Sequence, residues 1–508
     1  MLAHDLLNLM IWVPLIGAVL ILALAGRDDA APRARVLALI FSLVSLALCV
    51  PLYQGFDASQ STMQFAVSYP WIPFLNVHYS LGVDGLSVAM ILLTSFFTLI
   101  VVVAAWHMVT SKVAQYMAAF LFMQGVMVGV FAATDALLFY VFWEALLIPM
   151  YLVIGVWGSA NRSYAAIKFF IYTFLGSALM LLAMIYLYQQ AGSFQIVDFY
   201  PVHLTLTAQY LMFIAFFLAF AVKIPMWPVH TWLPDAHTEA PAGGSVILAA
   251  IMLKMGAYGF LRFMLPIVPD AARNMAWLMV ALSLVAVVYV GFVAVVQTDM
   301  KRLIAYSSIT HMGMVTLGIF LVYLISVHGG ADALSAAQLG LDGAVIQMIS
   351  HAFSSGAMFI GVGVLYERLH TRDIKAFGGV IKTMPLFAAF FLLFAMANVG
   401  LPGTSGFVGE FMVIMSAFHA GFWIAFLAAL TLILAAAYTL WMYKRVFFGP
   451  VLHAETVGSL TEMNMSETIT MVLLAIPVLF IGIYPQATLA LFHSSIGHLL
   501  SVSLATKL

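Results

Sequence analysis

Charge is what this 508-residue sequence has least of. Only 8% of its residues are Asp, Glu, Lys or Arg, while 65% are hydrophobic. A soluble domain carries about 25% charged residues, so a water-soluble fold is excluded. Nineteen lysines and arginines spread over the chain supply no basic stripe for a nucleic acid. Cysteine is almost absent. The single Cys49 sits in an apolar run and cannot build an Fe–S cluster, a structural zinc site or an intramolecular disulfide. There is no Walker loop, no GxGxxG between a strand and a helix, and no Cys/His spacing suited to a metal. Residues 1–10 contain no Lys or Arg, so "LALAG" at 22–26 is read as the end of an uncleaved first span rather than a signal-peptide cleavage site.

Apolar stretches of 18 or more residues fill the rest, and each is long enough to cross a bilayer core of about 30 Å. Polar punctuation predicts an all-α polytopic membrane protein of about fourteen spans. They centre near residues 15, 45, 95, 122, 146, 177, 220, 252, 284, 312, 354, 400, 434 and 481. With that count, alternate loops divide the cations sharply. Arg27, Arg33, Arg35, Lys112, Arg162, Lys168, Lys301, Arg302, Arg368, Arg372, Lys375, Lys382, Lys444 and Arg445 fall on one side. Arg262, Arg273 and Lys507 fall on the other, and Lys223 and Lys254 remain inside spans. The positive-inside rule then places both termini, and the Lys/Arg-free loop at 54–83, outside.

A repeat is suggested within this plan. FIAFFLAFA (213–221) and FAAFFLLFA (387–395) match at seven of nine positions at an offset of 174, which also carries Pro228 onto Pro402. A second window, 165–178 against 344–357, matches at an offset of 179. The expectation is an inverted pair of five-span units, spans 4–8 and 9–13, with spans 7 and 12 discontinuous; shared composition is the plainer account. The corresponding divisions are 1–110 (three spans), 111–266, 267–450, and 451–508 (a C-terminal span).

Four ionisable residues lie well inside spans: Glu144, Lys223, Lys254 and Glu410. A charge at the bilayer centre costs at least about 2.5–3.5 kcal/mol, so these groups are expected to pair, face water or titrate. Lys223 opens KIPMWPVHTWLPDAHTEAP (223–241). Pro225 and Pro228 lack an N–H, which leaves the carbonyls of Ala221 and Ile224 without helical partners, and unpaired backbone at membrane depth implies a hydrated cavity. Gly400, Pro402 and Gly403 form the matching break before Glu410. Glu144, in FYVFWEALLIPMY, is the expected partner of Lys223; a static ion pair that fixes helix packing is the alternative. His311, His351 and His230 are open between relay and packing roles. His237, Trp227 and Trp232 are expected at the interface.

The three stretches KIPMWPVHTWLPDAHTEAP with Lys254 after it, FWEALLIPMY, and GLPGTSGFVGEF resemble the antiporter-like subunits of respiratory complex I, relatives of multisubunit cation/proton antiporter subunits. Within that family the pattern is similar to the M-type rather than the L-type. GVGVLYERLHTRDIKAFGG (361–379) is M-like, Glu410 follows the second break where L resembles a lysine, and the chain stops soon after span fourteen. The resemblance implies proton translocation through Glu144 and Lys223 as a switching pair, Lys254 as a central relay and Glu410 on the exit side. It also implies no cofactor in this chain, with FMN, Fe–S clusters and quinone held by partner subunits. Its neighbours would be L-type and N-type membrane subunits and lipids, in a bacterial inner membrane. A cation/proton antiporter or membrane-bound hydrogenase subunit shares the same motifs. A solute permease, or a subunit whose charges merely lock helices, is a rival of another class.

Overall fold

The computed structural model describes residues 2–26, 30–327, 329–450, 458 and 460–508; Arg27 of the charge pattern lies outside them. The chain is a bundle of long apolar helices, of which fourteen among the described residues are long and apolar enough to cross a membrane. That set differs from the one the sequence predicts. The twelfth expected span is two shorter helices, Pro385–Val399 and Ser405–Ala420, and the expected C-terminal span of 451–508 is likewise two, Met465–Ile483 and Gln486–Leu504. The second of these is about 28 Å long at 1.5 Å per residue, yet it makes no separate crossing. The Gly85 N–H donates to Ser495 Oγ, Ser494 Oγ donates to the carbonyl of Ser59, and Arg273 donates to the carbonyl of Leu504. From Ser494 to Leu504, then, it runs along one face of the bundle.

That face is marked by a β-hairpin, Gln64–Ile72 paired antiparallel with Val77–Val83, which the all-α reading does not contain. The stretch is rich in Val, Tyr, Phe and Trp, which suit a pleated surface, and it turns through Asn76 in the left-handed region. Asn76 and Ser80 tie the hairpin to the loops at Gly192 and Thr134. Lys507 joins the loop at Leu204 and the start of the Pro269–Val295 helix through Asp270. On the opposite face, Arg35 reaches the carbonyl of Val109, Trp157 that of Ser111, Arg372 pairs with Asp299, and Arg368 binds Glu467 with both terminal nitrogens. Arg262, Arg273 and Lys507 all lie on the hairpin side. The two cation sets therefore occupy two faces.

Arg262 and Asp84 are almost fully buried at 2.8 Å from each other, and Asp84 also caps the Gly85–Met108 helix by accepting from Ser87. Removing one partner of a buried ion pair typically costs about 3–5 kcal/mol, so this pair clamps spans three and eight together at the hairpin end.

Candidate proton-relay site

Spans five, seven, eight and twelve are interrupted within their length, and the buried charges sit at those places. The Leu206–Lys223 helix ends at Lys223, turns occupy 224–231, and a short helix, Trp232–Glu239, continues the path. The break is better satisfied than the prolines alone imply. The Met226 N–H donates to the carbonyl of Ala221, and the indole of Trp232 donates to that of Val222. Trp232 and His237 are fully buried, which corrects their expected interfacial placement. The Trp232–Glu239 segment packs against neighbouring helices of the bundle, and His237 stacks on Phe359 at 4.5 Å with both ring nitrogens unpartnered.

In the second break, the Pro385–Val399 helix stops at Gly400 and the next begins at Ser405. Gly400 and Gly403 take positive φ values of 81° and 89°, which a side chain would strain. A Cβ on Gly400 would also stand 3.0 Å from Oε2 of Glu410, so the missing side chain leaves the carboxylate room beside the break.

Two further irregularities have no counterpart in the sequence expectations. Pro149 cannot donate to the carbonyl of Ala145. The fifth span accordingly divides into Ala136–Ala145 and Leu147–Trp157, directly after Glu144. The Ala242–Ile267 span contains two π-helical stretches, Leu248–Met252 and Phe260–Met264, on either side of Lys254. Wide turns of this kind release carbonyls from the ladder and are frequent at functional sites.

Lys254 uses such a carbonyl. Its Nζ donates to Ala249 O at 2.5 Å and lies 2.8 Å from Nδ1 of His351. The rings of His351 and His311 are 5.6 Å apart. His311 Nδ1 lies 2.7 Å from Oε1 of Glu410, which also accepts from Gln347 at 3.2 Å. Every member of this line is at most 3% exposed. His311 Nε2, His351 Nε2, Gln347 Oε1, Ser350 Oγ and Glu410 Oε2 are buried with no hydrogen-bonding partner. Nearly all such atoms in proteins are satisfied by protein or water, so this row of polar atoms suits a file of water.

The other expected pair is close without touching: Glu144 and Lys223 act on each other's charge. Glu144 and Lys223 form no ion pair; Lys223 Nζ and Glu144 Oε1 lack hydrogen-bonding partners. The lysine lies instead 5.2 Å from the ring centre of Trp143 and 5.9 Å from that of Phe169. His230 is buried at the first break, away from the Lys254 line, with Nδ1 unpartnered. Sequence reading also misses a polar group beside the second break, where Asn398 donates to Ser307 and Thr439 and Ser307 meets the hydroxyl of Tyr438. The seryl and threonyl positions of MKRLIAYSSITHMG were the available signal. On the cationic face a cavity of about 300 Å³ is lined by Tyr116, Arg162, Glu239, Lys301, Glu367 and Arg372.

All residues of the line fall inside residues 133–436, which match the family model described as NADH:quinone oxidoreductase/Mrp antiporter, TM. The chain belongs to this family. It is 48% identical to NADH-quinone oxidoreductase subunit M of Rhodobacter capsulatus, over 98% of this chain and 96% of that one. It is 40% identical to NADH-ubiquinone oxidoreductase chain 4 of Chondrus crispus, with 96% of each covered. Among solved structures it resembles a chain of respiratory complex I from Thermus thermophilus with bound NADH. The TM-score is 0.87 at 29% identity, covering 98% of this chain and all of that one. A chain of the Mrp complex from Dietzia sp. DQ12-45-1b shares the fold, with a TM-score of 0.84 at 20% identity over 99% of this chain and all of that one.

Proposed function

We propose that this chain is the M-type membrane subunit of an NADH–quinone oxidoreductase and carries protons across the membrane, driven by quinone reduction in partner subunits. The observation that supports this reading most is the buried line Lys254–His351–His311–Glu410, whose members can all gain and lose protons and whose remaining polar atoms can hydrogen-bond to water. A proton enters from the cationic face at the cavity lined by Lys301 and Glu239 and passes from there to Lys254. Lys254 hands a proton to His351, His311 accepts it through water, and Glu410 stores it beside the Gly400 break.

Glu144 and Lys223 act in this reading as a switch that is open here. With the pair open, the charge on Lys223 is not neutralised and drives the proton on Lys254 away by like-charge repulsion; closing the pair cancels that charge and lets Lys254 take up a proton again. The interruptions at Leu146 and at 224–231 give both residues the freedom to approach. The cationic face lies inside the cell and the hairpin face and both termini outside, in a multi-pass inner-membrane protein. FMN, Fe–S clusters and quinone belong to other subunits, and L-type and N-type subunits are its neighbours. The breaks at 224–231 and 400–404 fit the inverted repeat of spans 4–8 and 9–13, with divisions near residues 110, 266 and 450. A cation/proton antiporter subunit is the second reading, supported by the shared fold; co-purification with flavin and Fe–S subunits separates the two.

His351→Leu tests the line itself. The complex should assemble on native gels, while NADH-driven acidification of inverted vesicles falls at least about tenfold, equal to about 1.4 kcal/mol on the barrier. Undiminished acidification would sink the relay. For the switch, Glu144→Asp should retain more coupled activity than Glu144→Gln, because a carboxylate on a shorter arm can still meet Lys223. Equal losses in the two variants would assign Glu144 to packing.

A further inference from the structure

One more titratable pair joins the interior to the surface, away from the Lys254–Glu410 line. Asp342 lies on the Gly330–Leu369 helix, which also carries Gln347 and His351. It is 4% exposed. Its Oδ2 lies 2.7 Å from Nδ1 of His493, and its Oδ1 is buried with no hydrogen-bonding partner. His493 stands on the Gln486–Leu504 helix, with 60% of its side chain exposed. Gln338, one turn before Asp342, donates to the carbonyl of His493 at 3.2 Å and lies as close to its ring, which holds the imidazole against the carboxylate.

The position of the pair gives it a direction. Gln347, which donates to Glu410, is five residues further along the same helix, about 7.5 Å by helical rise and about 140° round its axis, so any path from Glu410 to Asp342 passes through water around the helix. Gly340 and Gly343 let the helix bearing Glu410 run against this one, since a Cβ on either would come within 3.0 Å of Ser416 or Met412. The sequence Glu410, Asp342, His493 thus leads from a fully buried carboxyl, through a carboxyl with one oxygen unpartnered in the interior, to an imidazole in contact with solvent on the hairpin face.

We propose that Asp342 and His493 pass protons from Glu410 to the aqueous phase on the hairpin side, an inference that rests on the proton-carrying function above. Asp342 accepts on its Oδ1 the proton that Glu410 releases through water, and the carboxyl presents it to His493 from Oδ2. His493 takes this proton at Nδ1 from Oδ2 of Asp342 and becomes an imidazolium. Its exposed ring turns to solvent, releases the same proton to water from Nδ1, and turns back as the original tautomer.

The test uses the whole complex in inverted vesicles with His493→Ala, His493→Asn and Asp342→Asn, each with and without added imidazole. His493 is exposed, so both of its variants should assemble. A several-fold loss of NADH-driven acidification is expected in all three. Imidazole should restore most of it in His493→Ala, where the base from solution can reach Asp342, and none in Asp342→Asn. Wild-type acidification in the His493 variants, or a loss in His493→Ala that imidazole does not repair, would overturn the proposal. Glu410→Gln separates this from failure of the functional reading. If Glu410→Gln pumps normally the reading itself fails, whereas an inactive Glu410→Gln beside fully active His493 variants removes only this exit.

Discussion

Replacing Lys254 by alanine is expected to lower proton translocation roughly 100-fold while leaving the complex assembled. Lys254 is fully buried between the Ala249 carbonyl and His351, at 2.5 and 2.8 Å. Without its amine, a proton bound for His351 has to cross that gap as a bare charge in an apolar surround. Such a charge costs at least about 2.5–3.5 kcal/mol, and each ~1.4 kcal/mol is tenfold in rate. Lys254→Arg is the sharper probe. Arginine keeps the positive charge and can still donate to Ala249, but it does not release a proton in a protein. If the fixed charge were what mattered, the arginine variant would pump. If proton exchange matters, both variants fail. NADH-driven acidification of inverted vesicles, alongside native gels, distinguishes these outcomes, and a pumping Lys254→Arg enzyme would remove Lys254 from the proton path.

The parts of this site that can be read from the sequence are those written in proline and glycine. Pro225 and Pro228 remove donors, Gly400 and Gly403 adopt positive φ, and both helices end where those residues say they should. The fifth span shows the limit of such reading. Pro149 is as clear a signal as Pro225, but it lies within a continuous apolar run, and the resulting break after Glu144 is visible only in the structure. The π-helical stretches around Lys254 carry no local signature at all. Between them, Gly256 and Gly259 pack where a Cβ would come within 3.0 Å of the backbone of Ile224 and the ring of Phe220, a contact only the tertiary structure reveals. The burial of His237 and Trp232 was illegible for a related reason. PDAHTEAP is polar enough to suggest an interface, and only tertiary packing places it inside the bundle. Hydropathy likewise finds Gln486–Leu504 apolar but cannot say that it lies along a face rather than across the membrane.

Residue spacing also cannot say which buried charges touch. Sequence reasoning joins Glu144 to Lys223, yet the contact found is His311 with Glu410, and Lys254 with His351. The first half of the molecule therefore holds Glu144 and Lys223 near each other without a direct salt bridge, whereas the second half has a closed histidine–carboxylate pair. The contrast makes mechanical sense under the proposed function. Separated charges can be brought together by motion at a broken helix, which changes the energy of the proton on Lys254; a closed pair at the far end provides a stable acceptor for it.

That acceptor carries the remaining large effect. Glu410→Gln is expected to abolish most proton translocation with little change in structure. The carboxamide oxygen can still accept from His311 and from Gln347, the contacts now made by Oε1 at 2.7 and 3.2 Å, so the packing around Gly400 is preserved while the ability to store a proton is lost. Glu410→Asp reverses the balance. It retains a titratable carboxyl but draws it back by about 1.5 Å, one carbon–carbon bond. That lengthens a 2.7 Å hydrogen bond to His311 beyond the usual range of about 3.2 Å. The aspartate variant should therefore keep partial activity and exceed the glutamine variant, although glutamine is the better structural mimic. Acidification rates of the two assembled complexes decide the matter. Should glutamine outperform aspartate, shape rather than proton storage governs the site, and the second helix break is a scaffold.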